Sequence, residues 1–496
     1  MGIVLGKARS GPERGLLLFV LFSLALAFSI GALVAFVSPL ISLGLVAMGL
    51  VGLWMLRSVE RGLVALLAVA MLLPFAAVPI EIGFNPTLLD GVMVVIFAVW
   101  LVQLASQGEY RVLSTPLALP LGVFILLAFV SFVGGLGHAG LTKNVVRHFA
   151  EVVVSILLFF IVQDAVRQRE SLERLARATI VIGFLAAAVG VILYIIPQPL
   201  TVRLLSGLRV FDYPAGWGVL RFIENDPNLP MRAISTSIDP NVLGGLLILV
   251  TSLTVPQLFS RYPLMERFWA AFLVVMMVVC MVLTFSRGSM LGLGVALLFI
   301  AVVRYRWLLA ILALAGIIIV LLPQTQAFIT HFWRGFLLQD RATLMRMGEY
   351  RDALTLISQH PWFGVGFAGS PSIELYIGVS SVYLLMAEEM GLVGLGAFLG
   401  VMLVFFLHTW PQLRSPEEDA AYAIFLGLQG ALVGALVGGI FDHHFFNLDF
   451  PHSVALFWFY VGLVVAAARL LSEDRAEEAA LPIERELAAT IARGQG

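Results

Sequence analysis

Charge is scarce in this chain. Only 12% of its 496 residues are Asp, Glu, Lys or Arg, against about a quarter in soluble globular proteins, which excludes an ordinary soluble domain. The formal net charge of −1 says nothing about partners, because the charges are confined to loops; no nucleic-acid partner is expected. Cysteine is nearly absent. The single Cys280 rules out an intramolecular disulfide, and its place inside a hydrophobic run reads as small buried filler. No internal repeat and no low-complexity tract is discernible. What the chain does have is hydrophobic residues, 60% of the total, with a mean hydropathy of +1.00. They fall in runs long enough to cross a bilayer at roughly 20 residues each.

These features predict an all-α, polytopic integral membrane protein. About fourteen spans are expected, near 15–37, 39–56, 62–81, 87–105, 116–134, 149–166, 176–197, 240–259, 267–285, 288–303, 307–323, 382–408, 420–441 and 453–470. The first has Lys7, Arg9 and Arg14 ahead of it, but it is too long for a signal-peptide core and a second span follows almost at once, so it reads as retained. Five regions result: an N-terminal transmembrane bundle 1–197, an external loop 198–239, a core 240–410 that includes a second external loop 324–381, C-terminal spans 411–471, and a tail 472–496. The tail reads as a charged amphipathic helix pair broken at Pro482.

Lys and Arg in short loops set the orientation. Arg57, Arg61, Arg111, Arg167, Arg169, Arg174, Arg177, Arg261, Arg267, Arg304, Arg306 and Arg414 alternate correctly with the spans if both termini are cytoplasmic. The two long loops then lie outside, and they are rich in arginine: Arg203, Arg209, Arg221 and Arg232 in one, Arg334, Arg341, Arg346 and Arg351 in the other. Arg287 falls on the same side, in a Ser-Arg-Gly between two hydrophobic runs. A guanidinium there costs at least a few kcal/mol in lipid and must face a protein interior or an aqueous cavity.

Four local patterns bear on chemistry. Asp239-Pro240-Asn241 suits a helix start, with Asp239 as the cap; Arg232 ahead of it is left for an exposed loop position or for an anion. The stretch from Arg341 to His360 is amphipathic, with Met345, Ala353, Leu354 and Ile357 opposite Glu349, Asp352 and Thr355. It is stopped by Pro361 and followed by Gly364-Val-Gly366. Arg346 and Arg351 on it either pair with Glu349 or Asp352 or serve a ligand, and His360 either caps the helix or acts as a base. Adjacent carboxylates Glu388 and Glu389 inside a hydrophobic run either hold the external arginines or provide a base. Asp442, His443, His444, Asp449 and His452 match no tight zinc spacing, and no metal or other cofactor is expected.

In order along residues 230–400, Arg-x6-Asp-Pro-Asn (Arg232 to Asn241), Ser286-Arg287-Gly288, His360-Pro-x-x-Gly364-x-Gly366 and Ser381-x-Tyr383-Leu-x4-Glu389-x-Gly391-Leu-x-Gly394 resemble the O-antigen ligase and polymerase family of bacterial envelope glycan enzymes. The resemblance implies a metal-independent glycosyltransferase in the cytoplasmic (inner) membrane. Its donor would be a polyprenyl-pyrophosphate-linked oligosaccharide and its acceptor a glycan or glycolipid. It also implies pyrophosphate binding by Arg287, Arg346 and Arg232, with Arg351 nearby. Arginine suits a diphosphate leaving group, being always charged and able to bind phosphate oxygens as a fork. The ligase branch carries His-Ser where this chain has Ser380-Ser381, which favours a polymerase-like role and leaves the base to Glu389, Glu388 or His360. An O-antigen ligase, a transporter or flippase of an anionic glycolipid, and a non-catalytic assembly protein are the competing readings.

Overall fold

The computed structural model describes residues 39–77, 85–106, 114–137, 141–321, 341–367, 379–414 and 419–494. The chain forms two compact units, Met1–Ser58 and Val59–Gly496. The first contains helix α1 (Pro39–Met55). The second opens with α2 (Val59–Leu72), α3 (Leu88–Ser106), α4 (Ala118–Gly135), α5 (Lys143–Ala165), α6 (Arg169–Ile195) and α7 (Gln198–Gly207). A short antiparallel hairpin, β1 (Arg221–Phe222) with β2 (Met231–Arg232), pairs Arg221 with Arg232. There follow α8 (Pro240–Thr254), α9 (Arg267–Leu283), α10 (Arg287–Val303), α11 (Trp307–Leu321), α12 (Arg341–Gln359), α13 (Val382–Leu413), α14 (Ala420–Gly438) and α15 (Pro451–Gly494).

This is a helical, multi-pass membrane protein. Among the described residues eight helices are long and apolar enough to cross a bilayer, and α9, α10 and α11 are shorter apolar helices. Every span expected from the sequence coincides with a helix except the first, 15–37, which lies outside the described residues. Two boundaries differ. The span expected over 62–81 ends as a helix at Leu72, because Pro74 has no N–H to continue the ladder. The tail is not broken at Pro482, since α15 runs on to Gly494; good helix formers on both sides (EEAAL, ERELAA) tolerate one missing bond at a proline.

Burial separates central from peripheral helices. In Pro451–Ala476 94% of the apolar window is buried, against 28% in Leu88–Ser106 and in Ala118–Gly135. In lipid an apolar face is as well solvated by acyl chains as by protein, so α3 and α4 keep Val94, Leu119 and Leu126 exposed. The centre instead relies on close backbone approach. Gly288, Gly292 and Ala296 of α10 meet Gly430, Gly434 and Gly438 of α14. A Cβ on Gly292 would stand 2.7 Å from the carbonyl oxygen of Gly434, and one on Gly434 would stand 2.7 Å from that of Gly292. This is a small-residue seam of the kind that replaces the hydrophobic effect inside a bilayer, and it fixes the end of α10 that carries Arg287.

The segment between α6 and α8 is a folded cap. Tyr213, Val219, Leu220, Ile234 and Ile238 bury themselves against Ala76, Leu193 and Leu205, and the Tyr213 hydroxyl accepts from the Phe75 N–H at 3.3 Å. The cap thereby holds the hairpin, and with it Arg232, over the helix ends.

Candidate active site

The corner between α9 and α10 builds the site. Thr284 ends α9 with its hydroxyl donating to Met281 O (2.6 Å) and accepting from Ser286 N (3.2 Å). Phe285 then takes φ +52°, a left-handed conformation that costs a non-glycine residue of order 1 kcal/mol or more. The reversal is tight enough that Arg287 becomes the first residue of α10. Its guanidinium therefore stands at a helix N-terminus, where unpaired N–H groups and the dipole favour an anion. It donates to the Thr343 hydroxyl of α12 at 3.3 Å.

Arg232 docks onto the same corner. Its Nε donates to Thr284 O at 2.8 Å, its second nitrogen donates to Asn241 Oδ1 at 2.7 Å, and the Ala233 N–H bonds Leu283 O at 2.8 Å. Asn241 belongs to the first turn of α8, which Asp239 caps by accepting from Asn241 N (2.7 Å) and Val242 N (3.0 Å), as its sequence pattern indicated. Burial pushes the Arg232 guanidinium down to about 10; Arg346 and Arg287 repel it in the same sense, while Asp239 and Asp442 oppose them. At neutral pH Arg232 keeps its charge.

Arg346 arrives on α12. Ala353 and Leu356 bury one face of that helix, the Tyr350 hydroxyl donates to Ser380 O at 3.1 Å, and the Glu349 carboxylate accepts from Ser380 N (3.1 Å) and Ser380 Oγ (2.6 Å). The packed face thus carries Arg346 and Glu349, whereas Met345 and Leu354 are exposed. The apolar set expected from the spacing is therefore divided, since Ala353 packs inward while Met345 and Leu354 face outward, where beside a bilayer exposed apolar residues carry no penalty. Near the cleft, Asp442 keeps its charge. Burial opposes that charge, but the His444 hydrogen bond and the fields of His444, His443 and Arg346 outweigh it and hold the carboxyl below the usual range.

The three arginines line one cleft together with Ile223, Glu224, Asn241, Phe285 and Ser286. Glu224 was not legible as a cleft residue. It enters through a turn in which Glu224 and Asn225 both adopt positive φ, 55° and 57°. Arg351, His360 and Glu389 do not line this cleft. Arg351 is exposed on α12, and the His360 N–H closes that helix by bonding Leu356 O at 2.9 Å.

Glu389 belongs to a seam that locks α12 in place. Helix α13 is interrupted at Gly391 (φ 68°, ψ −178°), which orphans backbone groups on both sides of the break. Segment 361–366 pairs with them: Val365 N to Glu388 O (2.8 Å), Gly366 N to Glu389 O (3.0 Å) and Leu392 N to Pro361 O (2.8 Å). The Ser131 hydroxyl of α4 adds bonds to Phe363 O (2.9 Å) and to Glu389 O. Only glycine fits at 391, where any Cβ would collide with Trp362 O. Irregular backbone among transmembrane helices is tolerated when protein satisfies it in this way. Glu388 and Glu389 thus contribute main-chain acceptors to the seam, and among the described residues neither forms an ion pair with an arginine.

A search of curated proteins finds no match to the chain. Residues 272–399 match the family model described as O-antigen ligase, a stretch that takes in the Arg287 corner, α12 and the Gly391 seam but not Arg232. On that match, residues 272–399 are similar to the O-antigen ligase domain.

Proposed function

We propose that this protein is a metal-independent membrane glycosyltransferase. It would take an oligosaccharide from a polyprenyl-pyrophosphate donor at the external face of the cytoplasmic membrane and join it to a growing glycan. The observation that carries the proposal is the convergence of Arg232, Arg287 and Arg346 on one cleft, beside the N-termini of α8 and α10. Breaking a glycosyl–phosphate bond leaves growing negative charge on the departing diphosphate. Pre-positioned guanidinium and helix N–H groups in a water-poor site stabilise that charge without reorganising. Arg232 and Arg287 are braced by their hydrogen bonds to the α9–α10 corner and to Thr343, so their positions are set before substrate arrives. Ser380 in place of a histidine supports polymerisation over transfer to a lipid A–type acceptor.

The test is reconstitution of the full chain in lipid bilayers with the lipid-linked oligosaccharide pool extracted from the producing cell. Wild type elongates the glycan on its lipid carrier. Arg287→Ala lowers the rate about 10²–10³-fold, the usual cost of removing a transition-state donor, and Arg287→Lys does not restore it because an ammonium cannot form the fork. Unimpaired elongation by Arg287→Ala removes the proposal, and glycan appearing only on a lipid A–type acceptor replaces the polymerase with a ligase.

A further inference from the structure

We infer that Glu349 is the general base that takes the proton from the acceptor hydroxyl, with Ser380 as the residue that positions it. The inference rests on the glycosyltransferase reading above. Glu349 follows Arg346 by three residues on α12, so the two side chains lie on one face with roughly 5–6 Å between their Cβ atoms. Inversion at a sugar carbon needs the base on one side and the leaving group on the other. A carboxylate one helical turn from a phosphate-binding arginine has that spacing.

The other acidic and basic candidates fit less well. His360 lies fourteen residues beyond Arg346, about 21 Å along a helix rising 1.5 Å per residue, too far for one sugar ring to bridge. Glu224 lines the same cleft as the arginines, where its charge would face the departing diphosphate itself. Glu388 and Glu389 stand on α13 and not on the helix that carries Arg346.

Glu349 is also held as a base should be. One oxygen, Oε2, accepts both the N–H and the hydroxyl of Ser380, which fixes the carboxylate, and among the described residues Oε1 has no partner. The Ser380 Oγ–H donating at 2.6 Å shows that an alcohol can approach this carboxylate in a proton-transfer geometry. Glu349, Arg346 and Asp442 all act on Tyr350 of the same helix, and Asp352 follows Glu349 by one helical turn.

The step balances as follows. The acceptor oxygen forms its bond to the anomeric carbon as its proton passes to Glu349. The bond from that carbon to the phosphate oxygen breaks, and its electron pair leaves with the polyprenyl diphosphate, held by the arginines. Glu349 then returns the proton to water, and the anomeric configuration is inverted.

The test uses the full chain in nanodiscs and reads donor binding and transfer separately, with undecaprenyl diphosphate as the binding probe. Glu349→Gln keeps an oxygen to accept from Ser380, so it preserves docking and removes only the proton acceptor. Its expected result is a Kd within threefold of wild type and a turnover lowered by about 10²-fold or more. The acidic limb of the wild-type pH profile is absent in Glu349→Gln, and added formate partly restores Glu349→Ala. Ser380→Ala lowers turnover less and retains the acidic limb. Turnover of Glu349→Gln within threefold of wild type, or loss of binding and transfer together, overturns the inference. If Arg287→Ala still abolishes transfer in that case, the glycosyltransferase reading stands without Glu349. If wild type neither binds undecaprenyl diphosphate nor transfers glycan, both fall.

Discussion

The arginines of the cleft and those at the opposite end of the helical unit that begins at Val59 are held in contrasting ways. At the end carrying the N-terminus of α6, guanidinium groups meet carboxylates: Arg169 with Asp419 and Asp474, Arg174 with Glu60, Arg167 with Asp164. Those charges cancel locally. At the cleft end, Arg232 binds a main-chain carbonyl and an amide oxygen, both neutral, and Arg346 and Arg287 push against it. Grouping like charges costs free energy, and a protein that needed only structural arginines had the paired arrangement available. This contrast supports the proposal that the cleft receives an anion while the far end serves stability.

Changing each end in turn sharpens this contrast. The largest effect belongs to the cleft: replacing both Arg287 and Arg346 with Ala should remove detectable transfer while the melting profile in detergent stays near wild type. Glycan extension read beside thermal unfolding checks this, and a double variant that only unfolds would place the two arginines with the structural set. Next is the seam. Gly391→Val forces a Cβ into Trp362 O and should cost roughly 2–4 kcal/mol, visible as an earlier unfolding midpoint and as weaker donor binding through a displaced α12. At the far end, Arg174→Ala breaks a largely exposed pair with Glu60, where solvent screening limits the loss to about 0.5–1 kcal/mol; transfer rates should be unchanged. The smallest effect is in pH. With Arg232 pushed down to about 10, it stays protonated through neutral pH, so diphosphate affinity should be level from about pH 6 to 9. It should then weaken as pH rises through about 10, and titration calorimetry on Arg232→Ala should show a flatter decline. For stability the sign is reversed: the charged form is disfavoured in the folded state, so stability rises between that value and the ordinary arginine range.

Local chemistry was the legible part. The Asp239 cap, the limits of α12 and the order of the arginine motifs all follow from neighbours in the chain, and every expected span among the described residues coincides with a helix. The packed face of α12 was not legible. Hydrophobic periodicity marks an apolar face without saying whether protein or lipid covers it: of the apolar set Met345, Ala353, Leu354 and Ile357, Ala353 is buried while Met345 and Leu354 are exposed. Ser380 meeting Glu349 joins residues thirty-one apart, and no local signal encodes it. Glu224 was hidden differently, since only the left-handed turn at Glu224 and Asn225 aims it into the cleft. The departure at Ser380 bears on the proposals: on the glycosyltransferase reading the proton acceptor lies elsewhere, and the Glu349 carboxylate is bonded to that very serine.

The seam at Gly391 has a consequence for descent. Its bonds run between main-chain atoms, so the exposed side chains of Trp362 and Phe363 are free to drift without loosening α12. The glycines at 135, 364, 366 and 391 have no such freedom, because each occupies space that another part of the backbone already fills. They are best regarded as one inherited character written at four places in the chain. A lineage that altered one of them would lose the station of Arg346 and Glu349 without touching either residue.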